Sequence, residues 1–376
     1  MSPEEIAALP KAELHCHLEA CVRPGTLREV ATALGRDVPA DEAAFRREWL
    51  LTEPLEDLET ALRAFANIQS VWANEEVIER LAYEAVEYAA DQGIRIFELR
   101  YSPDFIAAAH PHLDFERIHR AIVAGLERAR HLPVATGLIG IIQKTLSDDR
   151  AAYTADFIVE CRDTFVGLDM ADHDDGNQAR FLPLVEKARA AGLHFTTHAG
   201  EEPTPDAAQQ VRDAIEVLGA ERIGHGIHIV RDPAVMAFVI ERDVLLEVCP
   251  TSNWLTSAVP STAEHPIRRL MEAGVPVSIN SDDPGLFGID LCHEYAILAA
   301  EQGYNREEFE RLNDLAAAKS FIPAEEKARV WPRPINHRRR AFRPDSSRPD
   351  SSRPDSSTPD SSRPDSSTPD RDGNRA

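Results

Sequence analysis

Between residues 10 and 330 the chain keeps one rhythm. A short apolar run, often β-branched, is followed by a longer segment whose apolar residues recur every three or four positions. Period two marks strands and period 3.6 marks amphipathic helices. The short runs predict strands over 12–18, 94–101, 134–142, 165–170, 194–198, 222–225, 245–248 and 276–280. The longer segments predict helices over 74–92, 114–130, 180–192, 206–219 and 232–242. The first of these is the clearest, with Val77, Ile78, Leu81, Ala85 and Val86 on one face. Asn74 suits its N-cap and Gly93 its stop.

Strand and helix in alternation imply a parallel sheet with right-handed crossovers. Eight such units predict an α/β fold of the (β/α)8 TIM-barrel type. An open doubly wound sheet is the other arrangement considered, but no Gly-x-Gly-x-x-Gly follows the first strand. The stretch 24–71 is too long for one crossover helix. It reads as extra helices inserted after strand one that cap the C-terminal mouth.

From Arg343 onward a pentad, Arg-Pro-Asp-Ser-Ser, repeats, with Thr in place of Arg at 358 and 368. Regular prolines and the lack of large apolar side chains leave nothing to offset ordering entropy. The division expected is therefore a catalytic domain over 1–342 and a disordered low-complexity tail over 343–376.

Composition narrows the partners. With 41 basic and 64 acidic residues the formal charge is −23. Such a surface repels phosphate backbones and anionic lipid, so neither nucleic acid nor membrane is expected as a partner. No apolar run approaches the length of a membrane span. The acidic start, Met1-Ser2-Pro3-Glu4-Glu5, does not look like a signal peptide. Five cysteines contain no CxxC pair, which disfavours disulfides and cysteine-rich zinc sites. A cytoplasmic enzyme acting on a small molecule fits these constraints.

In a barrel of this kind working residues gather at the C-terminal strand ends. Strand one ends in His15-Cys16-His17, whose imidazoles share a face at i and i+2. Strand five ends in His198-Ala199-Gly200-Glu201, strand six in Gly224-His225-Gly226, and strand eight in Asn280-Ser281-Asp282-Asp283. Together they suit a catalytic metal, with neutral nitrogens from His15, His17 and His198 and one aspartate oxygen. A water on such a metal ionises near neutral pH. His225 suits taking or orienting its proton, and Glu201 suits protonating a substrate. The second aspartate of the 282–283 pair can accept a substrate hydrogen bond or keep a proton beside its neighbour.

These strings resemble the adenosine/AMP deaminase family of metal-dependent hydrolases, adenosine deaminases most of all. The matching segments are Leu9-Pro10-Lys11-Ala12-Glu13-Leu14-His15-Cys16-His17-Leu18-Glu19, His198-Ala199-Gly200-Glu201, Gly224-His225-Gly226, Cys249-Pro250-Thr251-Ser252-Asn253 and Asn280-Ser281-Asp282-Asp283-Pro284. The resemblance implies one Zn2+ on His15, His17, His198 and Asp282. Glu201 would donate a proton to purine N1, His225 would position or deprotonate the attacking water, and Asp283 would bond purine N7. The implied reaction is zinc-hydroxide attack at C6 of adenosine or deoxyadenosine, giving the inosine product and ammonia. Adenine or another 6-aminopurine is the alternative substrate.

Two positions depart from the family pattern. Glu19 stands where adenosine enzymes usually carry aspartate, and Asp172 stands where the family usually carries a glycine whose amide faces purine N3. Both belong to the expected substrate-binding set. Other polar residues have blander readings. His265 and His293 head helices and are expected at the surface, and Cys249 is expected to pack. Lys144 raises a rival, a carboxylated lysine bridging two metals.

Overall fold

The computed structural model describes residues 1–335 except 56, 57, 174 and 175. The repeat tail expected from 343 lies outside the described residues. Eight parallel strands run in chain order around a sheet: β1 (Lys11–His17), β2 (Ile94–Tyr101), β3 (Ala135–Gln143), β4 (Phe165–Ala171), β5 (His194–Ala199), β6 (Arg222–His225), β7 (Leu245–Val248) and β8 (Val277–Ile279). Every neighbouring pair from β1 to β8 is parallel. The expected (β/α)8 barrel is therefore present.

β8 closes onto β1 largely outside regular ladder pairing. His17 N–H donates to the Asp282 carbonyl at 2.8 Å, and Asp282 N–H to the His15 carbonyl at 3.1 Å. Lower in the seam the backbone donor of Leu14 is met by Asn280 Oδ1 at 2.9 Å. That of Ser281 is met by Glu13 Oε1 at 2.8 Å. Buried amides need such partners, and here side chains supply them.

Helix ends follow their sequence signals. The helix Glu75–Asp91 begins after Asn74, whose side chain accepts from Val77 N–H. The helix Phe115–Arg128 begins after Asp114 in the same manner. Such caps satisfy one of the four orphan N–H groups of a first turn. Apolar faces of these helices pack on the strands, and a smaller cluster seals the lower barrel. There Ala12, Leu14, Ile96, Ala135 and Leu245 meet Ala316, Ala317, Ile322 and Trp331.

The insertion after β1 contains the expected helices, Pro24–Ala33, Glu42–Trp49 and Leu58–Ser70. It is tied to two short helices at the C-terminal mouth, Pro250–Leu255 after β7 and Pro284–Phe287 after β8. Leu51 N–H donates to the Leu286 carbonyl and Leu55 N–H to the Leu255 carbonyl, each at 2.9 Å. Among the described residues no helix is long and apolar enough to cross a membrane.

Candidate metal centre and active site

The β1 end carries a register shift. Three residues advance from Glu13 to Cys16 against two from Phe97 to Leu99 on β2. After this bulge the imidazoles of both His15 and His17 reach the mouth. His15 Nε2 lies 3.2 Å and His17 Nε2 3.3 Å from the same oxygen, Asp282 Oδ1. His17 Nε2 is also 3.3 Å from His198 Nε2. The other Asp282 oxygen accepts from Ser252 Oγ at 2.7 Å. Ends of β1, β5 and β8 thus converge on one point.

The tautomers suit a cation at that point. His15 Nδ1 lies 2.9 Å from Glu247 Oε2, and His198 Nδ1 lies 3.1 Å from Asp169 Oδ2. Ionised carboxylates only accept, so each Nδ1 carries the proton and each Nε2 is left with its lone pair. His15 Nε2 is buried without a hydrogen-bond partner among the described residues. Lone pairs of buried imidazoles aimed beside a carboxylate oxygen are a donor set for a divalent metal. Burial lowers His198 to about 3 despite the pull of Asp169, which keeps its ring neutral, as a ligand must be. His17 behaves differently. Burial alone would lower it, yet the bond to Asp282 raises it to about 9, so His17 would have to give up that proton to serve as a metal ligand.

Close approach at this point has a steric condition. A Cβ on Gly224 would stand 2.9 Å from His15 Cε1, so β6 must carry glycine beside the ring. Three non-glycine residues at the mouth, Asp172, His225 and Asp282, have φ of 87°, 61° and 63°. Such backbone strain gathers where the surrounding structure aims functional side chains.

His225 Nε2 lies 3.4 Å from Glu201 Oε2 and 3.7 Å from Asp282 Oδ2. Glu201 Oε1 accepts from Thr256 Oγ1 at 3.1 Å. Burial, with Asp282 nearby, raises the Glu201 carboxyl to about 7. Burial and the same neighbour raise Asp283 to about 8. Of the nine residues singled out in the sequence, seven meet around this centre: His15, His17, His198, Glu201, His225, Asp282 and Asp283.

The other two lie along the β1 to β4 side of the mouth. Glu19 is buried, with Oε1 accepting from Ser102 N–H at 2.6 Å and Oε2 without a hydrogen-bond partner among the described residues. Asp172 follows β4 and keeps a positive φ although it is not glycine. Its Oδ2 accepts from Thr145 Oγ1 at 2.7 Å and from Gln143 Nε2 at 3.3 Å. Ser102 Oγ donates to Gln143 Oε1 at 3.2 Å, so one hydrogen-bonded line joins both departures from the family pattern. Lys144 donates to the His198 carbonyl at 2.6 Å.

One expectation is corrected. His265 is buried, 3% exposed, rather than at the surface. Its Nδ1 accepts from Ile267 N–H and its Nε2 meets Asn253 Oδ1, both at 3.1 Å. Also unforeseen are the charged residues inside the barrel below the histidines: Glu98, Arg100, Asp169, Arg222 and Glu247, none more than 1% exposed. Glu98 and Arg100 stand at i and i+2 with Ile96, so the alternation of β2 does place them on one face.

Fold and centre together define a barrel hydrolase with a metal-competent mouth. A family model described as adenosine deaminase matches residues 10–334, and the chain belongs to that family of deaminases. An adenosine deaminase of Klebsiella pneumoniae (strain 342) is 36% identical over 325 residues, covering 86% of this chain and 96% of its own. Among solved structures, an adenine deaminase from Arthrobacter aurescens superposes with a TM-score of 0.77 at 28% identity, covering 85% of this chain and 96% of that one. An amidohydrolase with bound zinc gives 0.75 at 25% identity, with 87% and 89% covered.

Proposed function

We propose that this enzyme converts adenosine and deoxyadenosine to the corresponding inosine and ammonia, using one Zn2+ per chain. The observation that carries the reading is the approach of His15 Nε2 and His17 Nε2 to Asp282 Oδ1, with His198 Nε2 at 3.3 Å from His17 Nε2 and with Glu201 and His225 beside them. His15, His17, His198 and Asp282 would hold the zinc, whose chemistry there is Lewis-acid activation of a water.

The chain's own residues would do the rest. Glu201, raised to about 7, holds a proton near neutral pH and can deliver it to purine N1 as C6 becomes tetrahedral. Asp283, raised to about 8, keeps a hydrogen that purine N7 can accept. His225 orients the attacking water at C6. Glu19 and the backbone amide of Asp172 bind the far side of the purine and its sugar. Asp172 supports this by keeping φ at 87°, a glycine-like conformation.

Adenine is the second reading. It is favoured by Glu19 in place of aspartate and by the resemblance to an adenine deaminase of known structure. Ammonia release from adenosine, deoxyadenosine and adenine, with metal content measured on the same sample, tests both. Turnover of adenine alone would move the substrate to the free base, and no turnover of any 6-aminopurine would refute the proposal.

A further inference from the structure

Asn253 and His265 form a chain of hydrogen bonds behind His225, and its polarity can be read from one end. The starting point is a backbone amide, which only donates. Ile267 N–H lies 3.1 Å from His265 Nδ1, so that nitrogen is the acceptor and the ring proton sits on Nε2. His265 Nε2–H then donates to Asn253 Oδ1 at 3.1 Å. With its oxygen so committed, Asn253 presents Nδ2 to His225 Nδ1 at 3.1 Å. An amide nitrogen only donates, so His225 Nδ1 is the acceptor and the proton of this ring is on Nε2.

Two further contacts agree with that direction. Asn253 Nδ2 also lies 3.4 Å from Glu201 Oε1, an acceptor that would repel the amide oxygen in a flipped side chain. His225 Nε2 faces Asp282 Oδ2 at 3.7 Å, an oxygen of an ionised carboxylate that welcomes an N–H. Reversing the chain would oppose Ile267 N–H to a protonated His265 Nδ1 inside the fold. Asn253 is fully buried and His265 nearly so, and a buried unmade hydrogen bond costs about 1–3 kcal/mol.

We propose that Asn253 and His265 are positioning residues that lock His225 as the Nε2–H tautomer, so that His225 meets the reacting water as a hydrogen-bond donor and not as the base that removes its proton. The inference rests on the reading of His225 as facing that water. It leaves Glu201, 3.4 Å away, as the group beside His225 able to carry a proton to the purine. It also gives a reason for histidine at 265: a ring that accepts at one nitrogen and donates at the other.

The test is histidine-selective 15N labelling of the full-length, metal-loaded protein without substrate, with the His225 signal assigned by its loss in His225→Gln. Wild type should show Nε2 protonated and Nδ1 bare. Asn253→Asp presents only acceptors and should move the proton to Nδ1, with kcat falling about 10–100-fold and KM changing far less. His265→Gln keeps a donor and an acceptor and should retain the wild-type ring pattern and most of kcat. His265→Leu should lose both. A wild-type His225 protonated on Nδ1 would overturn the proposal. So would an unchanged ring pattern in Asn253→Asp, or equal losses in the two His265 variants. If Asn253→Asp does not fold, the His265 pair decides. The ring pattern is read without turnover, so failure to deaminate any aminopurine would refute the deaminase reading and leave the tautomer result standing.

Discussion

Nδ1 of His15 lies 2.9 Å from Oε2 of Glu247, and neither side chain is exposed. The same oxygen accepts from Arg100 at 2.7 Å, and Arg100 reaches Asp169 at 2.9 Å. Asp169 in turn holds His198. One guanidinium thus stands under the carboxylates that aim two separate imidazoles. Burial alone would raise Glu247, but Arg100 and Arg222 hold it well below the usual carboxylate range. Glu247→Gln keeps the shape and removes the charge. It should weaken zinc binding about 10–100-fold, the usual effect of losing a partner behind a ligand. Chelator competition measures this, and an unchanged dissociation constant would separate Glu247 from the metal centre.

Glu201→Gln removes an ionisable proton while keeping size and polarity. Positioned acid–base groups contribute about 10²–10⁴-fold, so turnover should fall by that factor with metal content unchanged. Near-normal kcat would take the proton-donor role from Glu201.

Zinc should also report on stability. A ligand that binds only the folded state contributes about 2.7 kcal/mol at a hundred times its dissociation constant. Exhaustive chelation should therefore lower the melting temperature by several degrees, with recovery on adding zinc. Equal melting curves would mean that the convergence of His15, His17, His198 and Asp282 is not a tight metal site.

Much of this centre was legible in the sequence because strand ends punctuate it. His15 and His17 close β1, His198 and His225 sit in β5 and β6, and Asp282 follows β8. Barrel geometry carries such positions to one rim whatever the details of packing. What stayed hidden depends on tertiary placement. His265 precedes a helix, a setting that suits exposure, and nothing local announces that Asn253 and Ile267 will enclose it. Glu247 and Asp169 sit singly in apolar strands, and their meaning appears only when β4 and β7 bring them beneath histidines of β5 and β1. The insertion was visible as excess length, but its seating through Leu51 and Leu55 was not.

The buried histidines predict a pH dependence. Burial lowers His265 to about 3 and His119 to about 4, against 6.5 for an exposed ring. Below pH 6.5 the unfolded chain takes up protons that these folded rings refuse, so stability falls as pH drops from about 6.5 toward 4. Each ring adds a slope of up to about 1.4 kcal/mol per pH unit. His265→Gln removes one such group and should flatten the acid limb of denaturant-derived stability against pH. An identical slope would show that His265 contributes no proton linkage.

Specificity on the side away from the metal should lie with Glu19 and Asp172. Asp172 holds a backbone conformation that costs a non-glycine residue about 1–3 kcal/mol, and Thr145 and Gln143 bond its carboxylate there. Glu19 spends one oxygen on Ser102 and leaves the other buried without a hydrogen-bond partner among the described residues. A substrate hydroxyl that reached this oxygen would relieve a standing desolvation cost. Shortening the side chain moves that acceptor, and removing the Asp172 carboxylate opens the wall beside it. Glu19→Asp combined with Asp172→Gly restores the usual family residues and should shift the ratio of kcat/KM for adenosine over adenine toward the nucleoside. Hydrogen bonds to charged groups are worth about 1.5–3 kcal/mol, so a shift of at least about tenfold is expected. Gln143→Leu, which cuts the line between Ser102 and Asp172, should change the same ratio while leaving metal content intact. A ratio unmoved in both variants would mean that this side of the mouth does not read the sugar.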